Sequence, residues 1–260
     1  MSTFSVPHHI SLAKHSLDVE NLARDFALHC GLSSRLAEHV ALAGWLHDVG
    51  KADRRFQLML RGGSEIEYFK DETTWAKSAI PQSAREAHRL AQKRSGYPLG
   101  ARHEVQSLAM LERQQVELTQ RLMEIVPGEY PDLDLVFHLV ASHHGFCRPF
   151  APVVSDDAPE DVSLTGHTSA VFHTIDFSST PSNHGMHRLD SPLGERYWTL
   201  IAKYGWHELC WLEALLRLAD HRASEEESYD NWCGTEKVDT LVMLPPQRFE
   251  RNPFFQTPEG

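Results

Sequence analysis

Trp45-Leu46-His47-Asp48-Val49-Gly50-Lys51 closes a stretch in which Leu36, Val40 and Ala43 recur at steps of four and three residues. That is one face of a 3.6-residue period, and His47 takes the next position on it. The spacing predicts a helix from about Ser33, with a histidine and an aspartate at the inner end of its apolar stripe. An ionised carboxylate left unpaired in such a place costs several kcal/mol, so Asp48 calls for a cation. Gly50 reads as the helix stop, and Lys51 as emerging where a substrate anion could meet it. With 17 histidines in the chain, about one His-Asp pair is expected by chance, and the dipeptide alone reads first as a capped helix end. Its meaning depends on the rest of the chain.

The same pattern recurs on both sides. A helix is predicted from about Ser11 to Cys30, stopped by Gly31, with the stripe Leu12, His15, Val19, Leu22, Phe26. A short helix around Arg54–Leu60 follows the central stretch. Residues 61–100 look irregular apart from a basic helix after Pro81, and Gly96-Tyr97-Pro98 breaks them. A later helix carries His103, Ser107 and Met110 on one side, and another covers Val116–Val126. Asp132 or Asp134 then opens a helix with the stripe Val136, Leu139, Val140, His143, with His144 adjacent and Gly145 as stop. The last long helix, about Glu195–Glu226, runs Leu209, Leu212 and Leu216 into Asp220.

Between them, residues 146–195 are rich in Pro, Ser, Thr and Asp and read as a long irregular insertion without a strand ladder. The expectation is an all-α helical bundle over 1–230, with that insertion, followed by a Pro-rich tail over 231–260. In the tail, Phe249 to Phe255 looks exposed and is the candidate for docking a partner.

Composition narrows the class. The 260 residues are 41% hydrophobic, enough for a real core, and no apolar run reaches the length of a membrane span. Met1 to His9 lacks the basic start and apolar stretch of a signal peptide. Four scattered cysteines without Cys-x-x-Cys spacing read as free thiols in a reduced, cytoplasmic protein. A net charge of −11 argues against indiscriminate coating of nucleic acid. The charge is uneven, however: Lys51 to Arg113 holds 12 basic against 8 acidic residues. Within it Arg85, Arg89, Lys93, Arg94 and Arg102 face only Glu86, which reads either as a solvated helix face or as a track for backbone phosphates.

Polar residues thus interrupt or end apolar stripes on five helices: His15, His47 with Asp48, His103, His143 with His144, and Asp220. One inward histidine is commonly a satisfied core residue; five helices doing this together are hard to explain by packing. The seven groups are imidazole or carboxylate with no thiolate, a set suited to Mn, Fe, Co, Ni or Zn rather than to a structural cysteine site, with Mg as the remaining option. Seven donors exceed the needs of one ion. They suit two divalent ions about 3.5–4 Å apart that share a carboxylate, the arrangement that activates water for in-line displacement at phosphorus. The histidines at 8, 9, 29, 39, 88 and 138 read as non-ligands, and His173, His184 and His187 as surface groups.

His-Asp with outlying histidines and a late aspartate resembles the HD superfamily of phosphohydrolases. The wording is closer to the HD nuclease of the helicase-nuclease in type I CRISPR systems. His15-Ser-Leu-Asp18-Val19, His47-Asp48-Val49-Gly50-Lys51, His103-Glu104 with Ser107, Ser142-His143-His144-Gly145 and Leu218-Ala219-Asp220 with Ser224 look like its motifs in order. The resemblance implies that His15, His47, Asp48 and Asp220 hold one ion, and that Asp48, His103, His143 and His144 hold the second. It also implies that Lys51 meets the scissile phosphate, and that the activity is cleavage of single-stranded DNA with transition metals. The implied partners are a superfamily 2 helicase and an RNA-guided surveillance complex. No G-x-x-x-x-G-K-[ST] loop is present, so the chain looks like a free-standing HD subunit or a piece of a larger fusion. Two departures stand out: the 146–195 segment, and His221 directly after Asp220. The competing reading is an HD phosphohydrolase acting on mononucleotides or cyclic nucleotides, and a third is a non-catalytic subunit whose metals hold the fold.

Overall fold

The computed structural model describes residues 9–81, 83–128, 130–180 and 192–233, without side chains beyond 227. The histidines at 8, 184 and 187 and the Phe249 to Phe255 segment lie outside the described residues. The elements are α1 (Leu12–His29), α2 (Ser34–Leu46), a 3-10 turn (Val49–Ala52), α3 (Arg54–Leu60), α4 (Glu65–Lys70), α5 (Arg85–Ser95), α6 (His103–Glu112), α7 (Gln115–Ile125) and α8 (Leu133–Ser142). A hairpin of β1 (Val162–Thr168) and β2 (Thr174–Ser179) and the long α9 (Leu193–Cys233) complete them. Among the described residues the fold is all-α, as the periodicity predicts, apart from one small hairpin. Among the described residues no helix is long and apolar enough to cross a membrane.

α2 is the axis. From His39 to Leu46 every residue is buried, so this part of the helix is enclosed on all sides, the mark of a central core helix. Ser33 caps it, its Oγ accepting from the Leu36 N–H at 3.3 Å. α1, α8 and α9 pack around it, and α6 packs on α8 and on the 3-10 turn. Small residues let α1 come close. A Cβ on Gly44 would stand 3.1 Å from the Val19 carbonyl oxygen and 3.3 Å from the Ala23 Cβ. The buried face of α1 is therefore Leu12, His15, Val19, Ala23 and Ala27, while Leu22 and Phe26 flank it, half-buried. The expected stripe is corrected by about one position, because small residues, not large ones, sit at the closest approach.

Two further expectations are corrected. The 146–195 segment is not irregular throughout. Its hairpin pairs Val162 with Ser179 and His167 with Ile175 across a bulge at residues 165–166, where Gly166 has a φ of +68°. Phe172, Ile175 and Phe177 are buried in the main core, and Phe177 packs edge-on to Trp45. The fully buried Glu20 carboxylate of α1 holds the hairpin's connection, accepting from Ser169 Oγ at 2.8 Å and from the Ala170 N–H at 3.0 Å. The hairpin is thus a lid on the core. The second correction is α9, which is two helical arms joined at Gly205, whose φ of 77° and ψ of 166° no helix contains.

Candidate metal centre

α2 and α8 end alike. His47 and His143 are the cap residues just past each helix, where backbone carbonyls lack helical partners. Each ring fills that need: His47 Nδ1–H donates to Gly44 O at 2.6 Å, and His143 Nδ1–H to Val140 O at 2.7 Å. A carbonyl can only accept, so the proton is on Nδ1 and each Nε2 presents its lone pair. Both Nε2 atoms are buried and have no hydrogen-bond partner. His15 follows the same rule with a carboxylate, its Nδ1 lying 3.0 Å from Glu227 Oε1.

These free nitrogens converge on Asp48, and they divide between its two oxygens. Oδ1 lies 2.9 Å from His103 Nε2 and 3.8 Å from His143 Nε2. Oδ2 lies 3.2 Å from His47 Nε2 and 3.6 Å from His15 Nε2. Asp220 joins the second group, with Oδ1 3.3 Å from His15 Nε2 and 3.9 Å from His47 Nε2. His144 joins the first, its Nε2 3.3 Å from that of His103. Donor atoms of Asp48, His103, His143 and His144 all fall within 4.8 Å of one another, and so do those of His15, His47 and Asp48. Six of the seven residues singled out in the sequence therefore form two donor sets that share Asp48 and could hold metal, and Asp220 adjoins the second set through His15 and His47.

The electrostatics suit ligation. Burial alone would raise the Asp48 pKa, but His47, Lys51 and the His103 contact hold it well below the usual carboxylate range. Burial and neighbouring imidazoles push His143 well down and His144 down to about 4, so both rings are neutral at pH 7. His15 differs: burial opposes its charge, yet Asp220 and Glu227 outweigh it and raise that ring to about 9, so an ion binding there must displace its Nε2 proton. One side of the cluster meets solvent, since His144 is exposed and Asp220 half-buried, whereas His15, His47 and Asp48 are buried.

Lys51 is in the site but not as expected. Its Nζ lies 2.5 Å from Asp48 Oδ2 and donates to Ala76 O at 3.0 Å, so it turns in toward the carboxylate instead of emerging. Gly50 is corrected as well: it lies inside the 3-10 turn without the positive φ of a helix-stopping glycine. Of the basic residues, Arg85, Arg89, Lys93 and Arg94 are exposed on α5, which packs on α3. Arg102 stands apart from them, beside His103. His9, His29, His39, His88, His138, His173 and His221 belong to neither donor set.

Two buried groups escaped the sequence reading. Glu227 hides in the acidic run Glu225-Glu226-Glu227, but it lies seven residues after Asp220, two turns along the same face of α9; it orients His15 and pairs with Lys77 Nζ at 2.5 Å. His167 stacks on Trp45 with ring centroids 5.0 Å apart and holds Trp45 O at 3.1 Å, bracing the helix turn before His47.

No curated protein and no solved structure matches the chain. Residues 5–229 match the family model described as "Cas3, HD domain". That span takes in every donor of the cluster. With this match, and with an HD pair at the hub of an all-imidazole and carboxylate site, the chain belongs to the Cas3 HD-domain family, the metal-dependent HD nucleases of type I CRISPR systems.

Proposed function

We propose that this chain hydrolyses the phosphodiester backbone of single-stranded DNA. In this reading it works with a superfamily 2 helicase that unwinds the target and an RNA-guided surveillance complex that selects it. The observation that carries the reading is Asp48, whose two oxygens each face their own set of imidazoles. His15, His47, Asp48 and Asp220 are assigned to one ion, and Asp48, His103, His143 and His144 to the other; Mn, Fe, Co or Ni fits the donors. Bound there, such a pair supplies an activated water and stabilises charge at the phosphorus.

The chain's own contributions follow from its geometry. The anchored Nδ1 protons fix the ring tautomers before any ligand arrives, which is how outer partners orient a metal's ligands. The exposed α5 cations are assigned to backbone phosphates, a local attraction for a polyanion in a chain of net charge −11. Lys51 is assigned to the scissile phosphate. Lys51→Ala should lower cleavage about 10²-fold, the scale for one preorganised donor, with bound metal retained. Wild-type turnover in that variant would remove Lys51 from the site.

Sites set among helices with one open side admit a flexible strand past their solvent-facing donors, and a stiff duplex poorly. The expected result is cutting of single-stranded circles, stimulated by Mn²⁺ or Co²⁺ and abolished by chelator, with intact duplex largely spared. Brisk turnover of deoxynucleoside triphosphates or cyclic nucleotides, with the circles surviving, would assign the site to small-molecule hydrolysis instead.

A further inference from the structure

We propose that Phe146, backed by Arg102, is a stacking shelf for an unpaired nucleobase at the mouth of the metal centre; the assignment rests on the nuclease reading above. α8 ends at Ser142, and the Gly145 N–H donates to Ser142 O at 2.6 Å in a tight turn in which Gly145 has a φ of +85°. That turn sets Phe146 two residues beyond the exposed His144, and the residue is 46% exposed. A lone exposed aromatic needs no explanation, but this one is built into a platform.

The Arg102 guanidinium lies 3.3 Å from the ring centroid of Phe146, well inside cation–π range. Arg102 is itself held from behind: its Nη1 lies 3.4 Å from the carboxylate of Glu104, which is fully buried. A second cation approaches the same turn from α9, where the exposed Arg217 brings Nη1 to 3.6 Å from the Cβ position of Gly145. Each of the three segments also carries a donor of the metal centre. Arg102 precedes His103, Phe146 follows His144, and Arg217 lies one helical turn before Asp220. An exposed aromatic residue stacked on one guanidinium, with a second guanidinium at the same turn and metal-centre donors on all three segments, has the composition of a single-strand binding platform.

The chemistry selects the ligand. Phenyl stacking needs only the π-face of a base, so it tolerates any sequence. Duplex bases already have both faces stacked and offer none. Arg102 and Arg217 supply positive charge for the flanking phosphates where the chain as a whole repels them. The shelf therefore favours unpaired strands at the point where the backbone reaches the donors.

The test measures binding without cutting. The full chain, in chelator and at low salt, is titrated by fluorescence anisotropy into an oligothymidylate and into an abasic strand of equal length and charge. Phe146→Ala is expected to weaken oligothymidylate binding about 10-fold, within the range for loss of one base–aromatic stack, and to leave abasic binding unchanged. Phe146→Trp should restore it. Metal content and circular dichroism of both variants should match wild type, which separates the shelf from a folding role. Equal weakening on both strands, or none on either, would overturn the shelf while wild-type cutting of circles kept the nuclease reading intact. A wild-type protein that neither binds oligothymidylate nor cuts circles would overturn both.

Discussion

Asp48→Ala is expected to release both metal ions and to reduce cleavage below about a thousandth of wild type. The reasoning starts from how the carboxylate is shared. Each oxygen faces a separate group of imidazoles, so no other single residue contributes to both sets. Removing it also leaves the Lys51 ammonium, 2.5 Å from Asp48 Oδ2, facing a ring of buried imidazoles without its anion. Breaking such a pair by deleting one partner costs roughly 3–5 kcal/mol, so Asp48→Asn, which keeps the shape and removes the charge, is the companion variant. Losing one preorganised group that stabilises developing charge already costs about 10²–10³ in rate, and here two ions go with it. His103→Ala touches only the Oδ1 set and should mainly weaken one ion, and His15→Ala only the other. Elemental analysis beside a cleavage assay reads all four variants. Retention of both ions in Asp48→Ala and Asp48→Asn would show that the sets are not joined through this carboxylate.

What could be read from the sequence follows from how each residue is displayed. Seven donors were legible because helices write burial with a period of 3.6, and a histidine or aspartate on an apolar stripe stands out against it. Glu227 obeys the same period but is masked by its acidic neighbours, so only its spacing from Asp220 betrays it. The hairpin was hidden for a different reason. Its bulge breaks the alternation of β1, so Val162 and His167 are buried at an odd separation, and β2 ends its inward series Ile175, Phe177 on a serine. The buried face of α1 lies about one position from the stripe of large residues because its closest helix contact is made by Gly44 against Ala23 and the Val19 backbone, where size does not track burial. Side-chain direction was the least legible property. The place of Lys51 after a glycine suggests a solvent-facing side chain, but a carboxylate three residues back and the Ala76 carbonyl draw it inward.

Gly50→Ala is expected to destabilise the protein by at least about 3 kcal/mol and to cost it metal. Nothing in its neighbourhood in the sequence announces this, since a glycine after a helix reads as a stop. The structure gives it another task. A Cβ at this position would stand 2.2 Å from His103 O and 2.5 Å from Ser107 N, against the 3.4 Å at which ordinary contact begins. Both neighbours are backbone atoms of α6, so no side chain can swing aside. The turn and the helix would have to separate, and they carry opposite halves of the centre: His47 and Asp48 on one, His103 on the other. Separation also pulls at Ser107 Oγ, which accepts from the Gly50 N–H at 2.8 Å and donates to His47 O at 2.9 Å. Overpacking a close contact typically costs about 1–3 kcal/mol, and two strained buried hydrogen bonds add about 1 kcal/mol each. The same movement lengthens the 2.9 Å contact between His103 and Asp48, so metal affinity should fall together with stability. Ser107→Ala, which removes the hydrogen bonds without adding bulk, should lose stability but keep most of its metal. Urea midpoints and metal content, measured for both variants, separate the two effects. A Gly50→Ala protein with wild-type midpoint and full metal would mean that the His-Asp turn does not rest against α6 at this distance.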